Sequence, residues 1–242
     1  MANRKTPFVA REYYHIFNRG NSRQKIFLDD HDRKRFIKCL FLCNSCKGFK
    51  FRDHIVDKKI EAWDFDRGET LVSIGAWTLM PNHFHLYLTF SPKSDLGEAK
   101  SRNNISEFMQ KLMTAYTKYF NARHGRTGAL YEGKFKSVRV KNDKHAKYLF
   151  SYIHLNPIKL IDSIEQENDT QNTKLVLEYL NSYKWSSYND HRKIERPENK
   201  ILQLEDFPKY FSTVKDFNSE IFSWLEHAPQ VRLVDKLCTD EL

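Results

Sequence analysis

Met80-Pro81-Asn82-His83-Phe84-His85-Leu86-Tyr87-Leu88-Thr89-Phe90 is the stretch from which the fold is read. Residues 83–90 alternate in character as a β-strand does, with side chains two apart sharing a face. Phe84, Leu86, Leu88 and Phe90 form an apolar face, and His83, His85, Tyr87 and Thr89 form the other. The two histidines then stand roughly 7 Å apart at Cα, from a strand rise of about 3.3 Å per residue. Two such rings can converge on one divalent cation. A His-x-His pair on a solvated strand face is also commonly just solvated, so the rest of the chain has to decide.

Working outward, Leu71 to Leu79 reads as a second strand, rich in apolar and β-branched residues. Pro81 suits the turn between the two, because it presets φ and lacks a donor. Tyr13 to Phe17 reads as a first strand, ended by Asn18-Arg19-Gly20, with a basic loop (Arg19, Arg23, Lys25) after it. Asp29 or Asp30 is placed to cap a helix reaching about Cys43, with Phe36, Leu40 and Cys43 on its apolar side. Residues 44–70 are polar and irregular, a long loop or an inserted hairpin.

A long amphipathic helix is expected over about Asn104 to Arg123. Ile105, Phe108, Met109, Leu112, Tyr116 and Tyr119 keep its period, and Gly125 stops it. A basic stretch follows: Lys134, Lys136, Arg139, Lys141, Lys144 and Lys147, among Phe135, Val138, Val140 and Tyr148. Charge runs are often only solvated, but cations beside aromatics suit a single nucleic-acid strand with exposed bases. A shorter helix from about Asp143 ends at Asn156-Pro157, since proline disfavours helix at the residue before it. Tyr152 and Asn156 lie four apart and so share one face of that helix. The phenol is a potential nucleophile and the amide oxygen a hard metal donor. Taken singly, the tyrosine also fits a core position and the asparagine a helix C-terminus.

The whole chain sets the outer bounds. At 242 residues it is long enough for one domain with an appendage, and its 14% aromatic content argues for a folded core. The net charge of +9 favours a polyanionic partner. No apolar run approaches the roughly 20 residues that span a bilayer, and no signal-peptide core follows the N-terminus. The expectation is a cytoplasmic protein with no membrane association. Cys43-x-x-Cys46 lacks a second pair at zinc spacing, with only Cys39 and Cys238 besides. From Ile161 onward the chain reads as a helical tail, with Trp185-Ser186-Ser187-Tyr188 packing back on the body. Residues 191–242 carry 8 Lys+Arg against 10 Asp+Glu, so the basic character lies in the first 190 residues.

Four stretches together resemble the single-tyrosine HUH transposases of small insertion sequences, closest to the REP-associated tyrosine transposases. They are Tyr14-His15-Ile16-Phe17-Asn18-Arg19-Gly20, Ala76 to Leu86, Gly128-Ala129-Leu130-Tyr131, and Tyr152-Ile153-His154-Leu155-Asn156-Pro157. The resemblance spans roughly residues 10–190. It implies a ferredoxin-like α+β sandwich, an antiparallel sheet with helices on one face and the histidines on the open face. A helical extension would occupy 191–242. It implies His83, His85 and Asn156 as ligands of Mg²⁺ or Mn²⁺, and Tyr152 as the nucleophile. The substrate implied is single-stranded DNA with hairpins, held by Arg19, Arg23, Lys134, Lys136, Arg139, Lys141, Lys144 and Lys147. The family includes monomers and dimers that exchange active-site helices, so a homodimer is among the expected states.

Three rival readings stand beside this one. A replication initiator or relaxase would use the same chemistry, but a single candidate tyrosine and no ATPase region favour the small transposase. A domesticated hairpin-binding protein would retain the fold without cleavage. A plain metal-binding α+β domain leaves the basic stretch and the Tyr152–Asn156 pair unexplained. Residues 44–70 are longer than the family's connection, and the tail past 190 holds no recognisable motif.

Overall fold

The computed structural model describes residues 7–48, 50–90, 104–161, 170–211 and 213–226. Short helical turns aside, its first six strands and helices run β1 (Tyr14–Arg19), α1 (Asp30–Leu42), β2 (Val72–Met80), β3 (His83–Phe90), α2 (Asn104–Arg123) and β4 (Lys136–Arg139). The strands form one antiparallel sheet in the order β2-β3-β1-β4. That chain order and strand order make the ferredoxin-like arrangement. Four further helices follow: α3 (Asp143–Leu155), α4 (Thr170–Ser182), α5 (Tyr188–His191) and α6 (Val214–Glu226).

Local chemistry explains where the elements begin. The Asp29 carboxylate accepts from the Asp32 N–H at 3.1 Å, and Asp32 in turn accepts from the Leu28 N–H at 2.9 Å. One orphan donor of the first turn of α1 and the amide of the residue before its cap are satisfied this way. Asp32 is fully buried, and Arg123 at the end of α2 donates to it at 2.7 Å, which ties the two helices together. Asn142 caps α3 by accepting from the His145 N–H at 2.9 Å.

The apolar face of β3 is packed as the alternation predicts. Phe84, Leu86 and Leu88 meet Tyr14 and Ile16 of β1, Phe36 and Leu40 of α1, and Phe108, Leu112 and Tyr116 of α2. On β2 the alternation slips. Ile74 pairs with Leu88 but Ala76 pairs with Tyr87, leaving Gly75 as an extra residue in a β-bulge. Ile74 and Trp77, three apart in sequence, therefore both enter the same core. A Cβ at Gly75 would sit 2.8 Å from the Phe207 ring, so only glycine fits the bulge beneath that side chain.

The opposite face corrects the expectation of helices on one side only. It is not open. α3 packs across β2 and β3, α6 packs on α3, and a turn at Leu204–Asp206 lies against β2. Leu149, Ile153, Phe217 and Ile221 supply its apolar mass. Tyr87 is buried under Phe207 with ring centroids 4.9 Å apart. Helices with this much apolar surface have to bury it, and the polar strand face is the surface left.

The segment after residue 44 forms a single π-type turn (Arg52–Val56) and a 3-10 turn (Ala62–Asp64). It adds no strand among its described residues, so the hairpin alternative falls away. The Trp185–Ser187 segment does dock on the body. Leu79 N–H donates to the Trp185 carbonyl at 2.8 Å, and Ser187 N–H to the Trp77 carbonyl at 2.9 Å. These bonds cover the outer edge of β2, which would otherwise present unpaired backbone groups.

Candidate active site

His83 and His85 lie at the start of β3, with ring centroids 4.9 Å apart. His83 is half-buried and its Nδ1 lies 2.6 Å from Asn82 Oδ1. The Asn82 amide nitrogen donates to the Arg23 carbonyl at 3.2 Å, which turns its oxygen toward the ring. That oxygen can only accept, so His83 carries its hydrogen on Nδ1 and a neutral ring presents a lone pair at Nε2.

His85 is 6% exposed. Its Nδ1 lies 2.9 Å from Nε2 of His15, which is buried on β1. The two rings meet diagonally across the strands, since His15 stands opposite Tyr87 in the register. Burial pushes the His15 imidazole down to about 3, with His145 as a lesser cause. Burial also holds His85 well below the usual histidine range, helped by His83, His15 and Lys159. Both rings are therefore neutral near pH 7, the form a metal ligand requires. His85 Nε2 is buried and has no hydrogen-bond partner.

Tyr152, in the last turn of α3, brings its ring edge-on to His85 at 5.4 Å between centroids and to His15 at 6.1 Å. Tyr148, one turn earlier, stacks on Tyr152 at 6.3 Å. Lys159 Nζ lies 5.2 Å from the centre of the Tyr152 ring. Asn156 follows one turn after Tyr152, where α3 gives way to a 3-10 turn led by Pro157. Asn156 is 2% exposed, yet neither its Oδ1 nor its Nδ2 has a partner.

An unpaired buried amide and an unpaired buried imidazole nitrogen are costly to leave so. Together with His83 they are nitrogen and oxygen donors of the kind that hold a divalent cation. Among the described residues no three His, Cys, Asp or Glu side chains form a metal cluster, so any third donor beside the two histidines has to be of another type. Asn156, one turn after Tyr152, carries an unpartnered amide oxygen of such a type. The residues present fit a divalent cation.

The structure thus brings His83, His85 and Tyr152 into ring contact, with Asn156 on the next turn of the same helix edge. The basic residues divide. Lys134, Lys136, Lys141, Lys144 and Lys147 are exposed along β4 and the start of α3. Arg23 is exposed in the loop after β1. Arg19 is ion-paired with Glu132, and Arg139 with Glu12 at 2.5 Å. Both arginines reach the surface already holding a carboxylate. Sequence reasoning gave no role to His15 or Lys159, and placed Tyr148 only among the aromatics of the basic stretch. His15 had two signals: it falls in the first of the four stretches that carry the resemblance, and it shares a strand face with Tyr13 and Phe17. That face meets His85 only once β1 is known to neighbour β3.

No family model matches the chain, and no curated protein matches it. Two solved structures are similar. One is a REP-associated tyrosine transposase bound to a REP hairpin, at 14% identity over 82% of this chain and 90% of that one, with a TM-score of 0.42. The other is a candidate transposase from Deinococcus radiodurans R1, at 14% identity over 62% of this chain and 92% of that one, with a TM-score of 0.30.

Proposed function

We propose that this chain is a DNA transposase of the single-tyrosine HUH type, which cuts and rejoins single-stranded DNA through Tyr152. The observation that carries the reading is the contact of the Tyr152 ring with His85, whose one remaining nitrogen is buried and unpartnered. A tyrosine beside a preformed set of metal donors is the minimum equipment for exchanging one phosphodiester for another.

The reaction is a transesterification. The Tyr152 oxygen attacks the scissile phosphorus and loses its proton. The bond from phosphorus to the 3′ oxygen breaks, and that oxygen leaves as a 3′ hydroxyl. The 5′ phosphate stays on Tyr152 as a phosphodiester, so an incoming 3′ hydroxyl can reverse the step with no nucleotide cofactor. An ordinary phenol is only about 0.1% ionised at pH 7, so the attack needs charge compensation. A cation held by His83, His85 and Asn156 would polarise the phosphate and offset its developing charge. Lys159, at 5.2 Å from the Tyr152 ring, places a second positive charge beside the developing phenolate and the phosphate.

The DNA path follows the exposed lysines. Lys134 and Lys136 lie on the β4 edge, and Lys141, Lys144 and Lys147 at the opening of the helix that carries Tyr152. A strand lying along them leads from the basic edge toward the nucleophile. A hairpin beside the cleaved strand is the substrate assigned, the class of DNA held by the first similar structure. Arg19 and Arg139 join this surface only by exchanging Glu132 and Glu12 for phosphate.

The deciding experiment incubates labelled single-stranded hairpin DNA with the protein and Mn²⁺, and resolves covalent adducts on a denaturing gel. Tyr152→Phe is expected to abolish the adduct while hairpin binding persists. Adduct formation by the Phe variant at the parent level would overturn the assignment of the nucleophile.

A further inference from the structure

We infer that His15 is a positioning residue: by accepting a hydrogen bond at Nε2 it holds the hydrogen of His85 on Nδ1, and so leaves the buried Nε2 of His85 as an open lone pair. This deepens the reading above, and it rests on that reading only for the identity of the cation.

The neighbours of a buried imidazole decide where its hydrogen belongs. His154 has Nδ1 2.9 Å from the Phe150 carbonyl, a group that can only accept, so its hydrogen sits on Nδ1. Its Nε2 then accepts from the Ser187 hydroxyl at 2.8 Å. His83 is instructed in the same way by Asn82, and Asn82 by the Arg23 carbonyl. His85 has no carbonyl or carboxylate. Its partner at 2.9 Å is another imidazole, which in its neutral form can either donate or accept.

Two arrangements are possible. If His15 donated to His85 Nδ1, the hydrogen of His85 would move to Nε2. A buried N–H without an acceptor would result, which folded proteins rarely tolerate. The ring would also have no lone pair to offer. If His15 accepts, His85 Nδ1–H is satisfied and Nε2 faces the site as a donor to a cation. A group that fixes the tautomer and orientation of a histidine ligand raises its basicity as well. His15 is 1% exposed and packs against the Phe17 ring at 4.8 Å, so it has little freedom to leave this contact.

Two measurements test this, neither of which uses cleavage. The first reads the imidazole nitrogens of the ¹⁵N-labelled full chain by long-range proton–nitrogen correlation near pH 7.5. His85 is expected to show a pyrrole-type Nδ1 and a pyridine-type Nε2. A hydrogen on His85 Nε2 would refute the role of His15. The second follows free Mn²⁺ by electron paramagnetic resonance as it is titrated into the parent and two variants. His15→Phe removes the acceptor and is expected to weaken Mn²⁺ binding about ten- to hundredfold. His15→Gln offers its amide oxygen in place of Nε2 and is expected to restore most of the affinity. Equal affinity in the Phe variant and the parent, or equal loss in both variants, would overturn the inference. A parent chain that binds no Mn²⁺ refutes the cation of the proposed function instead, while the nitrogen spectrum of that same parent still decides the position of the hydrogen.

Discussion

On one side of the sheet, Phe84 and Leu86 press into α1 and α2 among apolar neighbours. On the other side, displaced by a single residue along the same strand, His85 lies under α3 against Tyr152 and His15. Both sides are buried, so exposure does not separate them. What separates them is how polar atoms are treated. Among the described residues, the α1–α2 side leaves single atoms unpartnered on separate residues: Arg33 Nε, Arg35 Nε, Trp77 Nε1, Asn121 Oδ1 and Tyr131 Oη. The α3 side concentrates them: His85 Nε2, both amide atoms of Asn156, Ser151 Oγ and Thr78 Oγ1, the last opposite His85 in the strand register. One side of the sheet stabilises the fold, and the other leaves costly unpaired groups at the candidate site.

Three changes test this contrast, ranked by their effect on stability. Phe84→Ala is the largest. The ring is fully buried and stands 5.0 Å from Phe36, and its loss should cost about 3–5 kcal/mol in denaturant unfolding. A much smaller cost would mean that the α1–α2 side is not the stabilising one.

Acidification comes second. His154 is fully buried and held well below the usual histidine range, first by burial and then by His191. Its other neighbours, the Phe150 carbonyl and Ser187, are uncharged. Below about pH 6.5 the unfolded chain binds a proton that the folded chain refuses. Stability therefore falls as the pH drops from about 6.5 toward the folded value, at up to about 1.4 kcal/mol per pH unit. Unfolding curves at pH 7.5 and 5.5 read it directly. His154→Gln should make the profile shallower by that contribution while buried His15, His85 and His191 keep theirs, and an unchanged slope would remove His154 from the account.

Asn156→Leu is the smallest and the sharpest. The residue has ordinary right-handed helical angles (φ −51°, ψ −39°), so its backbone does not need asparagine. Removing two unpaired buried polar atoms should raise stability by about 1 kcal/mol, while Mn²⁺-dependent adduct formation disappears. A loss of stability would show that the amide serves the fold rather than the site.

Much of this was legible in the residues. Alternation over His83–Phe90 placed the two imidazoles on one face, and the four-residue step from Tyr152 to Asn156 placed phenol and amide together. The Asp29–Asp30 pair marked the start of α1, with Asp29 the cap in the structure, and Pro157 marked the end of α3. These are local signals, carried by neighbours in sequence. What escaped was long-range. The polar strand face reads as solvated until α3 and α6 are seen to need a surface to cover. The bulge at Gly75 answers to Phe207, far along the chain. Arg19 and Arg139 look like free cations until Glu132 and Glu12 arrive from other segments. His15 gains its partner only through the pairing of β1 with β3.

The contact between Tyr152 and His85 is made within one polypeptide, and that bears on kinetics. A nucleophile borrowed from a second copy would be lost on dilution, and the rate would fall with the square of protein concentration. Here every group assigned to the reaction travels on the same chain. Adduct formation per molecule should then hold constant down to the lowest concentration at which the DNA is still bound. Pairing of two copies, where it occurs, would govern which DNA ends are brought together rather than whether either is cut.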